Sequence, residues 1–256
     1  MVKRLAILAL LGLSAAASAS ESGTLAGRAQ RSINAGKFAK AYNQLERALL
    51  ASRKEADLLS EGRVLLAMAQ IRTQSLDLDF ADSLISIVRP EVLDRTTAVN
   101  LTRAQAALAN ARGNYADAAK LCSKADPDTV KKTDNGTIAS FYAECAISYA
   151  GARKSDEAQE ALKMVGKKSS KKGGFYAFTA AQIADLEGHS GEADSLYRVA
   201  EAKSIEGNKP YTTATILYKR SQLKSTKADE AEDLKLRCKN AFELMGLPNN
   251  SKRCAE

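Results

Sequence analysis

Side chains able to make and break bonds are scarce in this sequence. His189 is the only histidine in 256 residues, and it lies beside Gly188 in a stretch that reads as a turn. Neither a histidine-centred triad nor a two-histidine zinc site can be assembled from it. No glycine-rich phosphate loop of the GxxxxGK[ST] or GxGxxG kind occurs. Carboxylates are numerous, and a pair for glycoside hydrolysis could come from distant helices without leaving a trace in the sequence. An aromatic share of 5% and the absence of Trp argue against the aromatic-lined cleft that sugars usually require. The expectation is a protein without catalysis, cofactor or metal.

The residue types support recognition instead. Asn100, Arg103, Ala107 and Asn110 follow one another at offsets 0, 3, 7 and 10, which places two amides and a guanidinium on one ridge of a helix. Amides can hydrogen-bond a peptide backbone, and a guanidinium can clamp a carboxylate. Phe178, Gln182 and Asp185 occupy a comparable ridge further on. Asn100, Arg103, Asn110, Phe178 and Gln182 are therefore the expected contacts for a protein or peptide partner. A second candidate is the basic run Lys167, Lys168, Lys171 and Lys172 before Gly173-Gly174. It reads either as a solvated connection or as a weak contact with an anionic envelope surface. Nucleic acid is not expected, since no recognition-helix motif accompanies a chain that reads as exported.

Four cysteines in an exported chain invite pairing. Cys254 lies beyond the helix stop Gly246-Leu247-Pro248, and the intervening chain is long enough to fold back onto Cys238. Cys122 and Cys145 belong to helices expected to be neighbours and form the natural second pair, with buried unpaired thiols as the alternative.

These groups need elements to position them, and the hydrophobic spacing is helical throughout. Phe38, Ala41, Tyr42, Leu45, Ala48 and Leu49 form one apolar stripe; Tyr115, Ala118, Ala119, Cys122 and Ala125 form another. Related stripes carry Ala158, Ala161, Leu162 and Val165, then Ala193, Leu196, Tyr197 and Ala200. Glycines at 36, 113 and 188 and Arg89-Pro90 divide the chain into helical hairpins. Residues 127–134 read as a polar connection with Asp134 or Asn135 as a cap. The stripe alanines recur every 35 to 40 residues, which marks a stack of two-helix units.

This pattern resembles the tetratricopeptide repeat family. Phe38, Ala41, Leu45 and Ala48 match its second-helix motif, as do Tyr115, Ala118, Cys122 and Ala125. Tyr142, Cys145, Ala146 and Tyr149 stand at its first-helix positions. The resemblance implies an all-α, right-handed α-solenoid of about six antiparallel helix pairs over residues 20–246, with 247–256 as a tail. It also implies binding of extended peptides or partner helices on a concave face lined by first helices.

Residues 1–19 have the layout of a cleaved signal peptide: basic Lys3 and Arg4, an apolar run from Leu5 to Leu13, and Ala17-Ser18-Ala19. That run is too short to span a bilayer, and no later one is longer. The chain's net charge of +8 is only modest. Together these readings describe a non-catalytic, periplasmic or secreted scaffold of a bacterial cell envelope. An envelope glycan-processing enzyme or its accessory subunit is the alternative.

Overall fold

The computed structural model describes residues 20–256, so the expected signal peptide at 1–19 lies outside the described residues. Regular structure among them is entirely helical. The helices are α1 (Glu21–Asn34), α2 (Phe38–Lys54), α3 (Leu58–Gln74), α4 (Leu78–Ser86), α5 (Arg95–Ala111), α6 (Tyr115–Lys124) and α7 (Pro127–Lys131). They continue with α8 (Asn135–Gly151), α9 (Ser155–Lys168), α10 (Gly174–Leu186), α11 (Ser190–Glu206), α12 (Pro210–Ser221), α13 (Ala228–Leu244) and α14 (Pro248–Ala255). A single 3-10 turn at Pro90–Val92 leads into α5.

Helix starts are written into the local sequence. Asp57, Asp94 and Asp134 precede α3, α5 and α8, and each accepts a hydrogen bond from the backbone N–H three residues on, at Ser60, Thr97 and Thr137. These side chains satisfy N–H groups that have no partner inside the helix. The helices then associate as α1/α2, α3/α4, α5/α6, α8/α9, α10/α11 and α12/α13, each pair resting on the next. Ala41, Ala118, Ala158 and Ala193, stripe alanines of the second helices, are fully buried; in α4 the buried position falls on Ala81 rather than on the exposed Ser83, and Ala231 of α13 is only half-buried. Their lack of bulk lets paired backbones approach closely, so the solenoid has the expected construction.

The two helices of a pair differ in burial. Second helices keep an exposed polar face. In contrast, no residue is exposed from Leu59 to Leu78, Thr96 to Asn110, Gly136 to Ala152, Gly173 to Glu187, or Lys209 to Ser221. These segments hold nearly all of the first helices α3, α5, α8, α10 and α12, which form the inner wall, whereas α1 of the first pair keeps exposed residues.

Burial of that wall is explained by a feature that corrects the expected open concave face: the last pair comes round to meet the first two. Phe38 of α2 packs against Tyr211 of α12 with ring centroids 5.3 Å apart, and Tyr211 in turn meets Phe242 of α13 at 5.8 Å. Gly36, in the first hairpin turn, is so close to Pro210 that a Cβ there would stand 2.9 Å from the proline Cγ. One hydrophobic core runs through both ends of the chain, taking in Leu25, Leu45 and Leu66 with Ala214, Leu217 and Phe242. Apolar side chains at both ends account for the closure, since either end left open would expose this surface to water.

Three local expectations also change. The 247–256 tail is the helix α14, packed on α13. The connection at 127–134 contains α7, whose start is capped by Asp126. Lys167 and Lys168 belong to the last turn of α9, where basic side chains complement the helix dipole, rather than to a linker. The cysteines pair as expected, Cys122 with Cys145 and Cys238 with Cys254, at Cα separations of 5.6 and 5.9 Å.

A buried charge cluster fixes the end of the stack. Arg220 of α12 is 4% exposed and donates to Asp194 at 2.9 Å, Glu201 at 2.6 Å and Glu230 at 2.7 Å. One guanidinium thus joins α11, α12 and α13, using its donors in several directions at once.

Candidate functional site

Among the described residues, most of the buried side-chain polar atoms without a hydrogen-bond partner lie on the inner-wall helices. Asp94 starts α5, and the helix then turns Asn100, Arg103 and Asn110 toward the interior and toward α8. Asn100 is buried. Asn110 is engaged: its Nδ2 donates to Glu144 Oε1 at 2.7 Å and to Ser148 Oγ at 2.9 Å, both on α8. Asn110 of the expected ridge therefore also serves the joint between the third and fourth pairs.

Arg103 is different. Arg63, Arg72 and Arg220 each pair with a carboxylate. The Nε of Arg103 is shut off from solvent and has no hydrogen-bond partner. Burial pushes the guanidinium's pKa down, and the Glu144 carboxylate is the charge that acts in the opposite direction. Glu144 has the complementary imbalance. Burial pushes its pKa up, against the Asn110 hydrogen bond and the charge of Arg103. Arg103 and Glu144, both half-buried, thus face each other's charge without forming an ion pair, and a guanidinium so placed can take an added carboxylate.

Further buried side-chain atoms without a hydrogen-bond partner lie on the same inner helices: Gln70 Oε1 and Gln74 Oε1 on α3, Asn100 Oδ1 and Asn110 Oδ1 on α5, and Ser140 Oγ on α8. Buried polar atoms are normally hydrogen-bonded, so such a set on three successive inner helices is unusual. Amide and hydroxyl groups arranged this way can exchange hydrogen bonds with a backbone running past them. Sequence reasoning did not single out Gln70, Gln74, Ser140 or Glu144. The repeat spacing held a usable signal, because Gln70 stands as far before Ala81 as Ala107 does before Ala118. Ser140 likewise stands as far before Ala158 as Asn100 does before Ala118.

The second expected ridge lies on α10. Phe178 is partly buried, with its ring 6.1 Å from that of Tyr197. Gln182 is half-buried one turn further on. Asp185 lies 3.6 Å from Lys219 of α12 and raises the pKa of the buried Tyr197 phenol, adding to the larger effect of burial. The structure does not bring the α5 and α10 ridges into contact; α8 separates them along the inner wall.

Elsewhere the candidates are simpler. Lys167, Lys171 and Lys172 are exposed, and Lys168 is half-buried. His189 is exposed, 3.9 Å from both Glu187 and Glu192. Among the described residues no cluster of His, Cys, Asp and Glu is placed to hold a metal ion. No helix among them is long and apolar enough to cross a membrane.

No family model matches the sequence, and no curated protein matches it. Among solved structures the chain is similar to a tetratricopeptide repeat protein from Parabacteroides merdae ATCC 43184, with 13% sequence identity and a TM-score of 0.44. The match covers 92% of this chain and 99% of that one.

Proposed function

We propose that the protein is an exported, non-catalytic scaffold of a bacterial cell envelope that holds an extended peptide segment of a partner along its inner wall. Arg103 would take a carboxylate of that segment, and Asn100, Asn110, Gln70, Gln74 and Ser140 would hydrogen-bond its backbone. Phe178 and Gln182 would extend the contact onto α10. One observation carries this reading: the buried Nε of Arg103 has no hydrogen-bond partner, and further unpartnered amide and hydroxyl atoms lie on the same inner helices α3, α5 and α8. A bound carboxylate and backbone would satisfy these groups together.

Export is supported by two cysteine pairs at disulfide distance, which fit an oxidising compartment, and by the order of basic, apolar and small residues in 1–19. The exposed lysines after α9 would add a weak, salt-sensitive contact with anionic surfaces.

Chemical crosslinking and pulldown from the native envelope test the proposal, comparing the natural chain with Arg103→Glu and with Lys40→Ala, at an exposed position of α2, as a surface control. The reading expects the partner to be lost with Arg103→Glu and kept with the control. Equal recovery from both variants would remove the inner wall as the contact surface.

A further inference from the structure

The outer side of the second and third pairs carries a groove whose origin is a short helix. α4 has nine residues against seventeen in α2. It ends because the chain runs into Arg89-Pro90: proline has no N–H to extend the hydrogen-bond ladder, and the residue before it is biased toward extended backbone. Arg89 is extended, with a ψ of 104°. On the other flank α6 has ten residues, whereas α5 between them has seventeen. A half-open cavity of about 530 Å³ lies over one face of α5, with α4 on one side and the start of α6 on the other.

The lining is divided by polarity. Leu101, Gln105, Leu108 and Arg112 fall at offsets 0, 4, 7 and 11, so one face of α5 runs along the groove for about 16 Å. Leu101 and Leu108, with Ile85 and Val88 from the α4 side, make an apolar floor that belongs to the core running through both ends of the chain. Charge sits on the rim. Arg112 donates to Asp82 at 2.9 Å and to Asp79 at 3.1 Å, so this cation is answered twice and one negative charge is left over. Asp117, on the opposite rim, is exposed and adds another. An apolar floor with a few convergent polar groups, in a volume of this size, is the composition of a binding pocket. The sign of the rim selects a cation.

We propose that this outer groove docks a partner segment in which an apolar side chain stands beside a lysine or arginine. The apolar group seats over Leu101 and Leu108, and the cation lies between Asp82 and Asp117. The cavity is open on its outer side, where a protein surface can present both side chains at once, which favours a partner segment over a free small amine. The groove uses a different face of α5 from Asn100, Arg103 and Asn110, and the inference does not rest on the reading of the inner wall.

The test uses the full exported chain with both disulfides formed. Backbone amide NMR signals of Ser86, Gln105 and Asn114 are followed while the peptide Ac-Lys-Leu-Lys-NH2 is added, with Ac-Glu-Leu-Glu-NH2, Ac-Lys-Gly-Lys-NH2 and butylamine as comparisons. The first peptide should shift these signals with an affinity about tenfold above the acidic peptide and the glycine peptide. Asp117→Asn, at an exposed position, should cut the preference over the acidic peptide to about threefold. Gln105→Trp, which fills the groove from a half-buried position, should abolish the shifts at Ser86 and Asn114 while circular dichroism is unchanged. Should that variant lose its fold, the Asp117→Asn comparison decides. No shift with the first peptide, equal affinity for the acidic one, or an unaltered preference in Asp117→Asn would overturn the docking site. Butylamine binding as tightly as the first peptide would overturn it too, by assigning the groove to a free amine.

Discussion

Tyr211 donates its hydroxyl hydrogen to the main-chain oxygen of Gln74 at 3.0 Å, across 137 residues of sequence. The bond joins the first turn of α12 to the last turn of α3 and closes the solenoid on itself. Burial pushes the phenol's pKa up to about 12, so it remains a donor throughout the physiological range. Tyr211→Phe keeps the ring packing on Phe38 and Phe242 but removes this donor. It should lower the unfolding free energy by about 1 kcal/mol in urea denaturation.

Arg220 should matter far more than its neighbour Arg198. Arg220→Met leaves Asp194, Glu201 and Glu230 facing one another without the central cation. Removing one partner of a buried charge cluster costs roughly 3 to 5 kcal/mol. The Arg198 side chain is 54% exposed, and Arg198→Ala should cost less than about 1 kcal/mol. Thermal unfolding of the two variants side by side checks the ratio.

Glu144 should make stability depend on pH. Its folded pKa is raised above the ordinary 4.5, chiefly by burial. The folded chain therefore retains a proton that the unfolded chain has released. This contribution is fully present below pH 4.5 and is lost as pH rises through the folded value. Glu144→Gln should flatten that decline and stabilise the protein near neutrality, read from urea midpoints between pH 4 and 8. Asp57 and Asp94 act in the opposite sense. The Ser60 hydroxyl lowers Asp57, while for Asp94 hydrogen bonds from Thr97 and Arg63 outweigh burial. Their contribution is present above 3.8 and disappears in stronger acid, a window that ends below the one where Glu144 acts.

Arg153, exposed in the turn between α8 and α9, has a φ of +61°. The left-handed conformation is unfavourable for a residue with a Cβ by about 1 to 2 kcal/mol, and glycine recovers most of this after its larger unfolded-state entropy. Arg153→Gly should raise stability by about 0.5 to 1 kcal/mol in chemical denaturation.

Cys122 and Cys145, 23 residues apart in sequence, link α6 to α8. Cys122→Ala/Cys145→Ala should cost about 3 kcal/mol through the loop released in the unfolded chain. Guanidinium titration gives the value, and no loss would mean that packing alone holds the two helices.

The helix pairs were legible because their information is local. A second helix such as Tyr115–Lys124 carries its apolar stripe, its leading glycine turn and its fully buried Ala118 within a dozen residues. Cys238 and Cys254 were similarly readable, being separated by one turn of known reach. The inner ridge was readable only in part. Spacing identified Asn100, Arg103 and Asn110 as neighbours on one helix but did not show that Asn110 would bond to Glu144 and Ser148, because those residues belong to another helix.

Residue spacing alone was sufficient for the all-helical stack and its repeat, since each depends on contacts within a helix or between adjacent ones, whereas it left Cys122 and Cys145 open between a bridge and buried thiols. Closure of the stack, the unpartnered Nε of Arg103 and the docking of α14 on the end of α3 depended on tertiary structure. Tyr211 and Asn250 reach the same Gln74 carbonyl from 137 and 176 residues away, and no short stretch of sequence encodes contacts of that range.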